Sequence, residues 1–262
     1  MKTMFPIYVP SKARPNLKRG TIELLSNEGL DFNVVVEPQD YESYCCWIDS
    51  IVQSVPVTAK LSVLKLPKND QGLAYARQFC KEHSAERGDE YHWSLDDDIR
   101  SFLSRFPGQP TGHPCAGQLM RTIEMEVLKY SNVGKAGTNQ NSFPPGKNGI
   151  KVNYAPEQCH LINNSVEAKF TGKIFVDFQH SLRTLREGWC VLTFDHLRTN
   201  CPAIGSKEGG MQAVYRDKDY IISRMRELCE EFPPMSIEED EKGPHLRRNR
   251  IWSTFKQEPT LI

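Results

Sequence analysis

The sequence predicts an α/β fold, a Rossmann-like and mostly parallel mixed sheet flanked by helices, and two observations predict it. Through the first hundred residues, short apolar runs alternate with amphipathic segments, the rhythm of parallel strands joined by crossover helices. The expected strand ends are polar, carrying Pro10-Ser11-Lys12, Glu37-Pro38, Pro67-Lys68-Asn69 and Asp96-Asp97-Asp98. Sheets of this kind bind ligands at the carboxyl ends of their strands, so these four ends outline a crevice.

Taken in order, "FPIYVP" (5–10), "FNVVVE" (32–37), "LSVLKLP" (61–67) and "YHWSLD" (91–96) read as strands, with helices expected over 17–28, 40–52 and 72–86. "PGQPTGHP" at 107–114 punctuates the chain before a helix at about 116–131, and "GTNQNSFPPGKNG" at 137–149 reads as a long mobile loop. Strands are expected near 151–155, 159–163 and 172–178, then a helix at 179–187 ended by Gly188 and a strand at 189–195. "GSKEGGMQ" at 205–212 reads as a second flexible loop, and 214–231 as a helix stopped by "FPPM". The acidic stretch at 236–243 separates that helix from a basic tail. With no internal repeat and no low-complexity tract, 1–262 reads as one continuous domain.

Composition narrows the function classes. No apolar run approaches the roughly 20 residues of a membrane span, and "MKTMFPIYVP" lacks the pattern of a secretory leader. Eight cysteines without a CxxC repeat read as reduced thiols, so a cytoplasmic protein with no membrane partner is expected. The Cys and His pairs at 80/83, 113/115 and 159/160 match no standard zinc spacing. With 33 basic and 33 acidic residues, no global field attracts nucleic acid. Such a partner would be held locally, by "KARPNLKR" (12–19) or by Arg247, Arg248 and Arg250 of "HLRRNR" (245–250).

The aspartate triplet raises the sharpest question, because like charges crowded after a strand must be offset by water, a helix N-terminus or a cation. Magnesium and manganese take oxygen ligands and bind through one or two carboxylates plus phosphate oxygens, a need that Asp96 and Asp98 suit.

Three segments together, "IYVPSKARPN", "GLAYARQF" (72–79) and "WSLDDDI", resemble the TET-associated glycosyltransferases, GT-A-fold enzymes encoded largely by phages and thought to add sugars to hydroxymethylated pyrimidines in DNA. The resemblance implies a GT-A-like glycosyltransferase in which 1–104 binds a nucleotide-sugar, a UDP-sugar above all, and 105–262 binds the acceptor. It implies that Pro10, Ser11 and Arg14 flank the nucleotide, that Glu37 faces the base or ribose, and that Gly72 and Arg77 lie near the donor, Arg77 toward the diphosphate. It implies that Asp96 and Asp97 meet the donor, and that Asp96 and Asp98 hold Mn2+ or Mg2+, with His196 or His245 as a further ligand. The acceptor implied is 5-hydroxymethylpyrimidine, foremost 5-hydroxymethylcytosine, in phage DNA within the infected host cell.

"VDFQHSLRTLREGW" (176–189) resembles the segment of inverting GT-A transferases that supplies the general base, which makes Asp177 the candidate. Val176 and Gln179 stand where that segment has acids. Asp177 could equally cap the following helix. Two rival readings stay open: a transferase acting on a glycan or small molecule, and a GT-A-like module that binds without turnover.

Overall fold

In the computed structural model, which describes residues 2–54, 59–142, 149–203, 209–210, 212–241, 243–248 and 250–262, the first apolar run forms β1 (Ile7–Pro10), buried along its whole length. α1 (Thr21–Asn27), β2 (Phe32–Val36), α2 (Tyr41–Ser54), β3 (Leu61–Lys65), α3 (Leu73–Glu86) and β4 (Tyr91–Leu95) follow in the expected alternation. Their strands pair in parallel in the order β3-β2-β1-β4. β4 is buried on both faces, which is why "YHWSL" reads as a continuous run and not an alternating one.

The second half completes the sheet. β5 (Ser101–Ser104), α4 (Ala116–Val127), β6 (Val133–Gln140), β7 (Ile150–Val152), β8 (Cys159–Asn163), α5 (Val176–Arg186) and β9 (Cys190–Asn200) extend it through β4-β8-β6-β9-β5, with β7 also on β9. Here β8 runs antiparallel to both β4 and β6, and β6 runs parallel to β9. α1, α2 and α4 cover one face through Leu25, Tyr44, Trp47, Leu119 and Ile123. α3 and α5 lie against the other through Ala76, Cys80 and Val176. α6 (Gln212–Arg216) and α7 (Lys218–Glu231) precede a hairpin of β10 (Ser236–Asp240) and β11 (Gly243–Arg247).

Four expectations are corrected. Residues 137–140 belong to β6, not to a loop, because tertiary partners satisfy their polar groups: Thr138 Oγ1 donates to the Glu157 carbonyl at 3.0 Å and the Asn139 amide to Asp195 at 2.5 Å. Residues 143–148 lie outside the described residues. The strand expected at 172–178 is a turn followed by the start of α5, with Phe175 in the left-handed region at φ 56°. The helix expected over 214–231 is broken at Asp217, whose carboxylate accepts from the Tyr220 amide at 2.9 Å and caps α7. The acidic stretch after it is β10, paired with the basic strand so that Glu238 meets Arg247. Of the second expected loop, 205–208 and 211 lie outside the described residues, while Gln212 already opens α6.

Candidate active site

The carboxyl ends of β1, β2 and β4 and the start of α3 converge on a crevice of about 180 Å³. Pro10, Ser11, Lys12 and Arg14 enter it after β1, Glu37 after β2, Gly72 at the head of α3, and Asp96, Asp97 and Asp98 after β4. Gln158, Pro202, Gly210 and Tyr215 reach it from the second half. Eight positions singled out as site residues thus share one cavity with Lys12, which was named at the first strand end, and Gln158 and Tyr215 are additions.

The aspartate turn is held by α1. Thr21 donates its amide to the Asp97 carbonyl at 2.9 Å and its hydroxyl to the Asp96 carbonyl at 2.5 Å, and that hydroxyl accepts from the Ile99 amide at 3.0 Å. Gly20 is required just before it, since a Cβ there would sit 2.7 Å from the Asp97 carbonyl oxygen.

The three carboxylates are not equivalent. Asp97 accepts from Ser11 Oγ at 2.5 Å and from the Arg14 guanidinium at 2.7 Å, so both its oxygens are engaged. Asp96 gives one oxygen to Arg77 at 2.6 Å and keeps the other. Asp98 lies 3.7 Å from Arg14, and burial, then Asp96 and Asp97, push its carboxyl up to about 7. Burial also raises Asp96 against the pull of Arg77. Two carboxylates with spare oxygens and a surplus of negative charge fit a hard divalent cation that takes the rest of its shell from phosphate and water. No cluster of three or more His, Cys, Asp or Glu side chains suited to a metal occurs among the described residues.

After β2, Glu37 is 4% exposed and fully engaged: Lys12 lies at 2.9 Å, Gln39 donates at 2.7 Å and the Asp70 amide at 2.9 Å. Glu37 therefore fixes Lys12 and the turn after β3 as much as it faces the cavity.

Arg77 departs from its expected place. It is 1% exposed and does not line the crevice; it lies behind it, bridging Asp96 to Asp177. Asp177 is the second residue of α5 and not its cap, the cap position being Phe175. Its carboxylate, paired with Arg77, lies 3.5 Å from His160 Nε2 and 4.0 Å from Lys135 Nζ, which also donates to its carbonyl at 3.1 Å. Burial first, then like charge, pushes Lys135 and His160 well below their ordinary values, so both are disposed to be neutral. Lys135 was not anticipated, and His160 was noted only in a Cys and His pair that matches no standard zinc spacing. The signal for Lys135 was a basic residue just before the segment 137–149 that read as loop.

The two histidines named as further ligands are elsewhere. His196 is on β9, its ring 2.5 Å from the Gly149 carbonyl and packed on Phe106. Five residues separate it from Cys201, the neighbour of Asp98, which along a strand is about 16 Å. His245 is exposed on β11, 3.7 Å from Asp240. Of the basic tail, Arg247 is paired with Glu238, Arg248 lies 5.1 Å over the Phe178 ring and Arg250 is exposed.

No curated protein matches the chain. Among solved structures, a mannosyltransferase from Pyrobaculum calidifontis, in complex with GDP-Man and Mn2+, is similar at TM-score 0.55 and 14% identity, covering 88% of this chain. The chain spans 65% of that protein's length, and the likeness shows a shared GT-A fold. A protein of Desulfovibrio desulfuricans G20 described as a nucleotide-diphospho-sugar transferase aligns at TM-score 0.42 and 12% identity over 85% of this chain and 98% of its own. GalNAc-T7 with UDP, GalNAc and Mn2+ aligns at 0.42 and 9% over 75% and 43%. A family model covers residues 5–210, from the strand before the crevice to the glycine that closes its far side, and by that match the chain belongs to the TET-Associated Glycosyltransferase family.

Proposed function

We propose that this protein transfers a sugar from a nucleotide-sugar, a UDP-sugar, to the hydroxyl of 5-hydroxymethylcytosine or a related hydroxymethylpyrimidine in phage DNA, with inversion at the anomeric carbon. The observation that carries the donor half is the unequal aspartate triplet, in which Asp97 is spent on Ser11 and Arg14 while Asp96 and Asp98 keep free oxygens at the crevice wall. Asp96 and Asp98 would hold Mn2+ or Mg2+. When bound, the cation neutralises charge that develops on the diphosphate leaving group. Pro10, Ser11 and Arg14 shape the nucleotide loop, Glu37 fixes Lys12 beside it, and Gly72 admits the chain close to the donor.

The DNA acceptor rests on the family's description. A group on the 5-position of a pyrimidine projects into the major groove, yet a recessed crevice suits an extruded nucleotide better than a duplex. The tail arginines bear on DNA grip unequally, since Arg247 is already committed to Glu238. The hydroxyl proton must pass to a carboxylate. Asp177 and Glu157 both stand beside the cluster formed by Arg77 and Lys135.

The test incubates the protein with hydroxymethylated DNA and a panel of sugar nucleotides, read by mass spectrometry. Transfer should stop in chelator, return with Mn2+ or Mg2+, and be lost in a folded Asp98→Asn variant. Full transfer in chelator would remove the metal from the reading; no transfer with any donor would remove the reaction.

A further inference from the structure

We propose that Glu157 is the general base of the transfer and that Asp177 is a positioning residue, an assignment that rests on the glycosyl-transfer reading above. Glu157 lies in the segment between β7 and β8, which crosses the end of β4. Its neighbour Gln158, in the left-handed region at φ 63°, accepts from the Asp96 amide at 2.9 Å and lines the crevice. The backbone of Glu157 is pinned from both sides: its amide donates to the Thr138 carbonyl at 2.8 Å, and its carbonyl accepts from Thr138 Oγ1 at 3.0 Å and from the Cys159 amide at 2.7 Å. A side chain launched from so fixed a backbone is held in place before any substrate arrives.

The carboxylate itself is uncommitted. It has no hydrogen-bond partner among the described residues, and it lies within electrostatic reach of Arg248, Asp96, Lys135, Arg77 and Tyr215. Asp177 differs on each point. Its oxygen is paired with the buried Arg77 guanidinium, with His160 and Lys135 behind. A proton taken up there would surrender the pair that also steadies Asp96. Asp177 therefore sets the position of Arg77, and through it Asp96, while Glu157 remains uncommitted next to Gln158, which lines the crevice.

The step balances simply. The acceptor oxygen bonds to the anomeric carbon as the bond from that carbon to the diphosphate oxygen breaks. Its proton passes to Glu157, and the bonding pair leaves with the nucleoside diphosphate.

The experiment compares Glu157→Gln, Glu157→Asp and Asp177→Asn with the unaltered protein, loaded with Mn2+ and whichever sugar nucleotide the latter uses. Donor affinity, turnover and product with azide are measured, with thermal melting as the check on folding. Azide has no proton to lose, so it needs no base, and its attack on the anomeric carbon gives a glycosyl azide. Glu157→Gln should bind donor normally and lose 10²- to 10⁴-fold in turnover. Glu157→Asp should recover part of it, and azide should restore turnover to Glu157→Gln. Asp177→Asn should melt lower and bind donor more weakly, with no gain from azide. Glu157→Gln with more than a third of normal turnover, or inactive and not rescued by azide, overturns the assignment, as does azide rescue of Asp177→Asn. Failure of the unaltered protein to consume any donor instead defeats the transfer reading, so the two failures are told apart.

Discussion

Arg77 joins the carboxylates of Asp96 and Asp177 through one buried guanidinium, tying the end of β4 to the start of α5. Its planar fork suits two oxyanion partners at once, which a lysine ammonium on a flexible stem would not reproduce. Buried basic groups surround this pair, and three histidines, His92, His160 and His180, are fully buried. Burial dominates in all three, pushing His92 down to about 4 against a bond with Asn164, and His160 and His180 well below their ordinary value with Lys135 adding to the shift. Depressed folded values mean that the unfolded chain binds more protons below about pH 6.5, so stability is complete above that pH and is lost as pH falls toward the folded values. Three such groups contribute a loss of roughly 3 kcal/mol between pH 6.5 and 5.5, of which Asp98, pushed up to about 7 and so binding its proton in the folded state over this interval, returns about 1 kcal/mol. Urea unfolding across that interval measures it, and a flat profile would refute the neutral assignment.

Among the elements, β6 shows where sequence reading succeeds and stops. β1, β2, β3 and β4 were legible because their residues are apolar and regularly punctuated. "GTNQ" in β6 carries no such pattern, its place being set by distant partners such as Glu157 and Asp195. The same holds for the site: the strand-end residues could be named from position, whereas Arg77's burial and the Lys135 and His160 neighbours appear only when α3, β6 and β8 meet at Asp177. The β10–β11 hairpin was hidden because its charges read as solvated runs until they pair across strands. Gly137 marks the closest approach, since a Cβ there would lie 2.1 Å from the Cys159 carbonyl oxygen and 3.0 Å from Pro156. Gly137→Ala must push β6 from β8, at a cost of about 1–3 kcal/mol. The shift also moves the 157–158 segment against Asp96, so donor KM should rise beyond what lost stability explains. Unfolding midpoints and donor kinetics measure both; unchanged values would mean that the strands yield freely.

At the scale of the molecule, β4 joins two differently built halves. On one side it continues the parallel set through β1; on the other it takes β8 antiparallel, with Leu95 opposite Cys159 and Tyr91 opposite Asn163. This seam has a consequence for synthesis. A ribosome adds about 60 residues between making one partner and the other, on the order of 3–12 s at ordinary rates. During that interval the nascent chain presents an apolar strand with an open hydrogen-bonding edge, the kind that pairs with other chains. Residues 1–104 made alone should therefore self-associate, and size-exclusion chromatography that found them monomeric and folded would contradict this. The aspartate turn, whose Asp96 amide finds its acceptor only in Gln158, is accordingly among the last parts of the nascent protein to settle, so a ribosome-bound first half should not yet grip a sugar nucleotide.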